Sequence, residues 1–366
     1  LQRIMCLALF RNIHLRSQVN VFESSRILTK LLVTTSAASH THKTPLYKNE
    51  KAKKINRYLF SKYFDYMKQY EQVIEKRFPG AVKAYRFFML GVKDFYGDMK
   101  EYLRIVLNIT GTGKTVNDLT RKELEIYFYM PREMWKAAPV LLLSALPFAL
   151  YVILPIAYYF PGYLLTHHFW TSEQRIKFRA EQLKKRLKHN RPVFRALQAE
   201  LCKIHATSSY DEWKEILGML GSGIHPSPKE ILICMDVFTS GPYNINKINV
   251  NHVSHLLAMH HLKSILFRRS RLIDHAWLLI LMDRAIVREG GLEKLSDDEL
   301  RMCCYIRGLE ASTLSRKSMI EWLKQWIMVS SHLANKSSAS VILHAPVLLG
   351  YNQPSNWAAI YEQNKS

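Results

Sequence analysis

Residues 137–166 read AAPVLLLSALPFALYVILPIAYYFPGYLLT, thirty consecutive positions without a charged side chain. A helix over 137–160 would be about 36 Å long, which is enough to cross a hydrocarbon core of about 30 Å with some tilt. Its Leu, Ile, Val and Phe residues favour membrane insertion by roughly 4 to 7 kcal/mol, and the prolines and tyrosines reduce this free energy. The stretch therefore predicts a single, kinked transmembrane helix over 137–160. A buried core helix is the alternative.

The first forty-two residues have the composition of a mitochondrial transit peptide. They contain five spaced basic residues and one acid, Glu23, together with a run of Ser and Thr between 34 and 39. They lack the continuous apolar core of a secretory signal. Residues 1–42 are therefore predicted to be a transit peptide, with a disordered basic tail as the alternative.

The charges on either side of the predicted span differ in a way that sets its orientation. Nine basic residues lie between 175 and 195, opposed by Glu173 and Glu181, whereas residues 117–136 carry four basic and four acidic residues. Because the positively charged flank stays inside, the C-terminal part is expected in the matrix of mitochondria. The protein is thus predicted to be single-pass in the inner mitochondrial membrane, with 43–136 on the intermembrane space side.

The remaining sequence has helical patterns. Apolar and aromatic residues repeat at helical spacing between 55 and 73, and a second helix follows to about 106, so 43–136 is predicted to form amphipathic helices. Thr120 with Glu123, Thr171 with Gln174, and Ser296 with Glu299 match the capping-box spacing. We predict an all-α fold, with a helical domain over 167–345 and a C-terminal tail over 346–366.

The overall charge indicates an attraction to polyanions. The chain carries 52 Lys and Arg against 30 Asp and Glu, a formal net charge of +22, which favours RNA or anionic lipid head groups. Two basic clusters are the candidate phosphate contacts, with an ordinary solvated charged face as the alternative. Their residues are Lys184, Lys185 and Arg186 in the first, and Arg268, Arg269 and Arg271 in the second.

Several patterns resemble chemical sites but lack a required residue. Residues 108–115 follow a strand-like segment over 103–107 and resemble a phosphate-binding loop, but Asn108 stands where the first Gly is needed. The histidines between 252 and 261 lack the Glu of a metalloprotease motif and are expected on a helix surface. The five cysteines form no CxxC pair. We therefore predict no enzyme activity, no metal site and no cofactor.

The residues that follow Arg288 resemble those of the LETM family, the leucine-zipper, EF-hand transmembrane proteins of the inner mitochondrial membrane. The segments are Glu289-Gly-Gly-Leu-Glu-Lys-Leu295, Asp298-Glu-Leu300, Cys304, Arg307-Gly-Leu309 and Leu323-Lys-Gln-Trp326. Upstream, Leu266-Phe-Arg268, Asp283, Ile286 and 119–123 add to the likeness. His168-Phe-Trp-Thr171 is most similar to the short, LETM-domain-containing members. The motif residues that carry the resemblance are Glu289, Gly290, Glu299, Leu300, Cys304, Arg307, Gly308, Leu323 and Trp326.

The resemblance implies an all-helical, 14-3-3-like ribosome-binding domain in the matrix. Its expected partners are the mitochondrial ribosome and inner-membrane lipid, with a homo-oligomer or other inner-membrane proteins as further partners. It also implies effects on cation balance and membrane organisation. Tyr305 and Thr313 depart from the family pattern, and no EF-hand loop follows, so calcium sensing is not expected. A role in a mitochondrial cation/proton exchange system is the alternative function.

Overall fold

The computed structural model describes residues 79–111, 113–144, 162, 165–204, 209–262, 266–333 and 339–361. They belong to two compact units. The first comprises residues up to Lys114 and from Met130 to Phe169, and the second comprises 115–129 and residues from Trp170 onward. No described residue lies in a β-strand, which confirms the all-α class for this part of the chain. The predicted transit peptide and the helix predicted over 55–73 lie outside the described residues.

The first unit contains helix α1, Pro79–Gly111, part of helix α2, Arg121–Ser144, and a 3-10 turn, His167–Phe169. Residues 103–107, which look strand-like in the sequence, lie inside α1, and this confirms the prediction of a second helix to about 106. Phe95, Met99 and Tyr102 are buried, and their spacing of four and three residues is helical, not the alternation of a strand.

The predicted transmembrane span is described only in part. Residues 137–144 form the end of α2, whereas 145–160 lie outside the described residues. Of the helices that the structure describes, none combines the length and the apolar character that crossing a membrane requires. The expected likeness to a 14-3-3 bundle stays a prediction.

The second unit begins with residues 115–129, and its described residues between Ser172 and Tyr361 form eleven helices. They are α3 Ser172–Leu187, α4 Asn190–Ala199, α5 Tyr210–Gly221, α6 Pro228–Ile233, α7 Met235–Thr239, α8 Val250–Met259, α9 Arg268–Arg288, α10 Asp297–Ile306, α11 Arg316–Ser331, α12 Ala339–Gly350 and α13 Pro354–Tyr361.

The predicted capping boxes are confirmed. Reciprocal hydrogen bonds join Thr171 with Gln174 at the start of α3 and Ser296 with Glu299 at the start of α10. At the start of α2 the backbone N–H of Thr120 donates to Glu123 Oε2 at 3.0 Å. Such caps satisfy N–H groups that have no partner within the helix. The start of each of these helices is therefore determined by residues that are three positions apart in the sequence.

Helix α12 forms the centre of the second unit. All of its residues are buried, and it packs against α4, α7, α9 and α11. The Nε1–H of Trp322 on α11 donates to the carbonyl of Leu349 at 2.7 Å. The core helix continues past the predicted domain boundary at 345 to Gly350, and α13 follows it.

Four histidines lie in the same core. His252 on α8 faces His344 on α12, with the two Nε2 atoms 3.0 Å apart, and His260 and His275 form an edge-to-face pair. Burial lowers the pKa of His252 and of His260 to about 4. The expectation that His252 and His260 lie on a helix surface is wrong, because α8 is covered by α3, α4 and α9.

Candidate functional site

A positively charged surface follows the junction of α3 and α4. We call it the basic face and define it as Lys184, Lys185, Lys188, Arg191 and Arg195. Between 184 and 195 there are six basic residues and no acidic one. Lys184 and Lys185 lie in the last turn of α3, and Lys188 lies at the junction. Arg191 and Arg195 on α4 are four residues apart, which places these two side chains on one side of the helix.

The basic face is open to solvent and is not neutralised by any residue in the described part of the chain. Lys184 is half-buried, and the other four residues are exposed. No member forms an ion pair with any residue that the structure describes. Unneutralised charges of one sign produce a field that attracts anionic partners. The basic face is therefore suited to a polyanion.

Arg186 has a different role from its neighbours. Its guanidinium is buried and donates to the carbonyls of Met259, Tyr305 and Ile306 at 2.8, 2.6 and 2.9 Å. Burial lowers its pKa. The interpretation of Arg186 as a phosphate contact is corrected here, because it instead joins α3 to the ends of α8 and α10.

The second basic cluster lies at the start of α9. Arg268 is half-buried and donates to Ser254 Oγ at 3.2 Å, and Arg271 is exposed. Arg269 donates to the carbonyls of Ile245 and Ile248 at 2.9 and 2.8 Å. Two of the donor groups of Arg269 therefore hold the segment before α8, whereas Arg271 is exposed.

A cavity of about 500 Å³ opens beside this second cluster and is lined by Val250, Val253, Phe267, Arg268, Arg269 and Ser270. Phe267 has a left-handed backbone, with φ of 57° and ψ of 39°, and half of its surface is exposed. Apolar and basic groups thus share the wall of this cavity.

Helix α8 connects the two basic regions. Ser254 contacts Arg268, and the next residue, His255, has its Nδ1 3.1 Å from Nδ1 of His189. His189 directly follows Lys188 of the basic face. Burial and the neighbouring His255 lower the pKa of His189. His189 and Arg268 thus contact adjacent residues of α8, which their separation in sequence does not reveal.

A row of aromatic rings lies next to the basic face. We call it the aromatic row: Phe194, Tyr351, Trp357 and Tyr361. Successive ring centroids are 5.0, 5.9 and 5.4 Å apart. Trp357 and Tyr361 are 38% and 55% exposed. Burial raises the pKa of Tyr351, and the positive charges of Arg191 and Arg195 act in the opposite direction, which places both arginines close to the row.

The aromatic row was missed in the sequence because residues 346–366 were assigned to a tail. Two signals could have found it. Pro354 is at the first position of α13, where Pro is favoured, and Trp357 and Tyr361 are four residues apart, on one helical face. Exposed rings beside Lys and Arg are suited to stacking with unpaired bases while the cations contact phosphates.

The residues that carry the family resemblance lie mainly in the core and at helix ends. Leu300, Cys304, Arg307, Leu323 and Trp326 are buried. Gly308 ends α10 with a φ of +87°, a conformation that favours glycine. Gly290 also has a positive φ, of +109°. These residues define the fold and do not line the basic face.

Glu289 and Glu299 attach the start of the second unit to its body. Glu289 accepts from the backbone N–H of Arg121 at 2.7 Å, and Glu299 accepts from the Arg121 guanidinium at 2.6 Å. The backbone N–H of Ser296 is the main cause of a Glu299 pKa lowered to about 2. The segment 115–129 is therefore held by ion pairing and hydrogen bonds to α9 and α10.

Comparisons with known proteins agree with the resemblance. A family model described as "LETM1-like, RBD" matches residues 119–348. LETM1 domain-containing protein 1 from Xenopus tropicalis is 30% identical over 308 residues, covering 83% of this chain and 87% of the relative. The proteins of the same name from Bos taurus and Homo sapiens are 27% and 26% identical, each covering 78% of this chain and 79% of the relative.

Proposed function

The chain belongs to the LETM1-like family, and we propose that its second unit binds the mitochondrial ribosome from the matrix side of the inner membrane. The basic face supplies contacts to ribosomal RNA phosphates, and the aromatic row stacks with unpaired bases. Effects on ion balance and on mitochondrial organisation are proposed to follow from this placement. The observation that carries the proposal is the cluster of basic residues without acidic partners between 184 and 195.

The neighbouring rings favour RNA over an anionic lipid surface as the partner. Lipid head groups attract Lys and Arg but offer no flat bases for stacking. Single-stranded nucleic acids bind surfaces in which a positive groove lies beside exposed aromatic side chains. Trp357 and Tyr361 provide such side chains, in one row with Tyr351, on which the charges of Arg191 and Arg195 act.

The location rests on the sequence. The predicted transit peptide over 1–42 directs the chain to mitochondria. The predicted span over 137–160, with its basic C-terminal flank, places the second unit in the matrix. A ribosome-binding unit held at the inner membrane would bring protein synthesis close to the site where membrane proteins insert.

Charge reversal on the basic face tests the proposal. Mitochondrial ribosomes are sedimented from detergent-solubilised mitochondria that express the wild-type chain or the triple variant Lys188→Glu, Arg191→Glu, Arg195→Glu. The wild type is expected in the ribosomal pellet, and the variant is expected to lose at least nine-tenths of that association. Loss follows because three phosphate contacts are replaced by repulsive charges.

A matched control carries the same change in charge on other helices. Lys214, Lys229 and Lys317 are exposed, and the triple variant that replaces each of them with Glu is expected to sediment as the wild type does. Equal loss in both triple variants, or absence of the wild type from the ribosomal pellet, would overturn the proposal.

A further inference from the structure

A cluster of potential metal ligands lies in the first unit. The turn His167–Phe169 packs on helix α1, with the Phe169 ring stacked on Phe88 at 5.1 Å. A Cβ on Gly91 would lie 2.5 Å from the Phe169 ring, so this close approach depends on glycine. The packing brings the two histidines of the turn to Asp98 on α1.

The three side chains converge on one point. One potential ligand atom from each of Asp98, His167 and His168 lies within 4.8 Å of the other two. His168 Nε2 is 2.9 Å from Asp98 Oδ2, and the two imidazole rings have centroids 3.9 Å apart. Ligands at about 2.1 Å from a tetrahedral ion are about 3.4 Å apart, so small side-chain movements would admit one.

Neighbouring groups orient both imidazoles. Thr166 Oγ1 lies 3.0 Å from Nδ1 of His168, so an Nδ1–H donated to this hydroxyl leaves the Nε2 lone pair facing Asp98. Glu133 Oε2 lies 3.5 Å from Nδ1 of His167 and is shielded from solvent without a hydrogen bond among the described residues. Metal-binding histidines are commonly held in this way through their second ring nitrogen.

The simpler alternative is an ion pair between His168 and Asp98. That pair does not need the second imidazole or the carboxylate of Glu133. A divalent ion uses both imidazoles together with a carboxylate, and so gives each of the four side chains a role.

We propose that Asp98, His167 and His168 bind a divalent transition-metal ion, with Zn²⁺ the best match to the ligands. Imidazole nitrogen with one carboxylate suits zinc, whereas calcium and magnesium prefer oxygen ligands throughout. Thr166 orients His168, the Glu133 carboxylate lies beside Nδ1 of His167, and water would complete the coordination. The ligands Asp98 and His168 are 70 residues apart, which is why sequence spacing predicted no metal site.

Zinc binding to the full chain, purified in detergent, tests this site. The wild type is titrated with Zn²⁺ against a chromophoric chelator, and one ion per chain is expected. His167→Gln and Asp98→Asn alter side chains that are 43% and 44% exposed, so both variants are expected to fold. Each is expected to bind Zn²⁺ at least tenfold more weakly, since each loses one of three protein ligands.

The matched control is His332→Gln, which removes an exposed imidazole from the second unit and should leave zinc affinity unchanged. Zinc should also raise the Tm of the wild type and of the control but not that of His167→Gln. Absence of a stoichiometric site in the wild type, or equal zinc affinity in all variants, would overturn the proposal. In that case Asp98 and His168 form an ion pair only, and the proposed ribosome binding is unaffected.

Discussion

Arg307 and Asp283 form an ion pair that is sealed inside the second unit, with side chains 0% and 3% exposed. The second carboxylate oxygen of Asp283 accepts from Nε1–H of Trp326 at 3.0 Å, and Arg307 also donates to the carbonyl of Cys303 at 2.8 Å. Asp283, Arg307 and Trp326 therefore connect α9, the end of α10 and α11 in one network. Three segments of the family resemblance meet at this network.

Removal of Asp283 should strongly destabilise the protein. Asp283→Ala leaves the Arg307 charge buried without a partner, and we expect the free energy of unfolding to fall by about 3 to 5 kcal/mol. Urea denaturation followed by circular dichroism measures the change. The control is Asp298→Ala, which breaks an exposed pair with Arg301 and should cost about 0 to 1 kcal/mol. Similar losses in the two variants would contradict the importance of burial.

Two glycines should respond to Ala in opposite directions. Gly308 has a φ of +87°, and a Cβ there would lie 3.3 Å from Pro346, so Gly308→Ala should destabilise the protein by about 1 to 2 kcal/mol. Gly218 lies within α5 with open space around it, so Gly218→Ala should stabilise by about 0.5 to 1 kcal/mol. Thermal unfolding of both variants checks the signs. A stabilising Gly308→Ala would refute the left-handed helix end.

The buried histidines predict acid sensitivity. The folded-state pKa of His252 and of His260 is about 4, below the usual value of about 6.5 for an unfolded chain. Stability is therefore complete above pH 6.5 and is lost as the pH falls toward 4, by up to about 1.4 kcal/mol per pH unit for each group.

Urea denaturation between pH 7 and pH 4.5 measures this loss. His332 is exposed, so the pH dependence of the His332→Gln variant should equal that of the wild type. A free energy of unfolding that stays constant from pH 7 to pH 4.5 would show that these histidines are not held in the neutral form.

Helix starts could be predicted from the sequence because their signals are local. Thr171 with Gln174 and Ser296 with Glu299 need only three-residue spacing, and both pairs form the predicted hydrogen bonds. Helix α12 was not predicted, because the sequence around it carries no such local signal. It is apolar on every side and buried throughout, so it has no amphipathic stripe that would mark it as part of the domain.

Site residues were less predictable because burial depends on distant segments. In the sequence, Arg186 and Lys185 are two adjacent basic residues with nothing to tell them apart. In the structure, Arg186 is buried and donates to the carbonyls of Met259, Tyr305 and Ile306. The aromatic row joins Phe194 to rings beyond 350. No spacing rule connects such positions, and only the packed helices bring them together.

The salt dependence of binding to purified mitochondrial ribosomes tests the role of the basic face most directly. For phosphate contacts, the logarithm of the association constant falls linearly with the logarithm of salt concentration, by about 0.7 to 0.9 per contact. The triple variant Lys188→Gln, Arg191→Gln, Arg195→Gln should therefore bind more weakly. The magnitude of its slope, of log association constant against log salt concentration, should be lower than that of the wild type by about 2 to 3. Identical slopes, or wild-type binding that does not change with salt, would contradict RNA recognition by this surface.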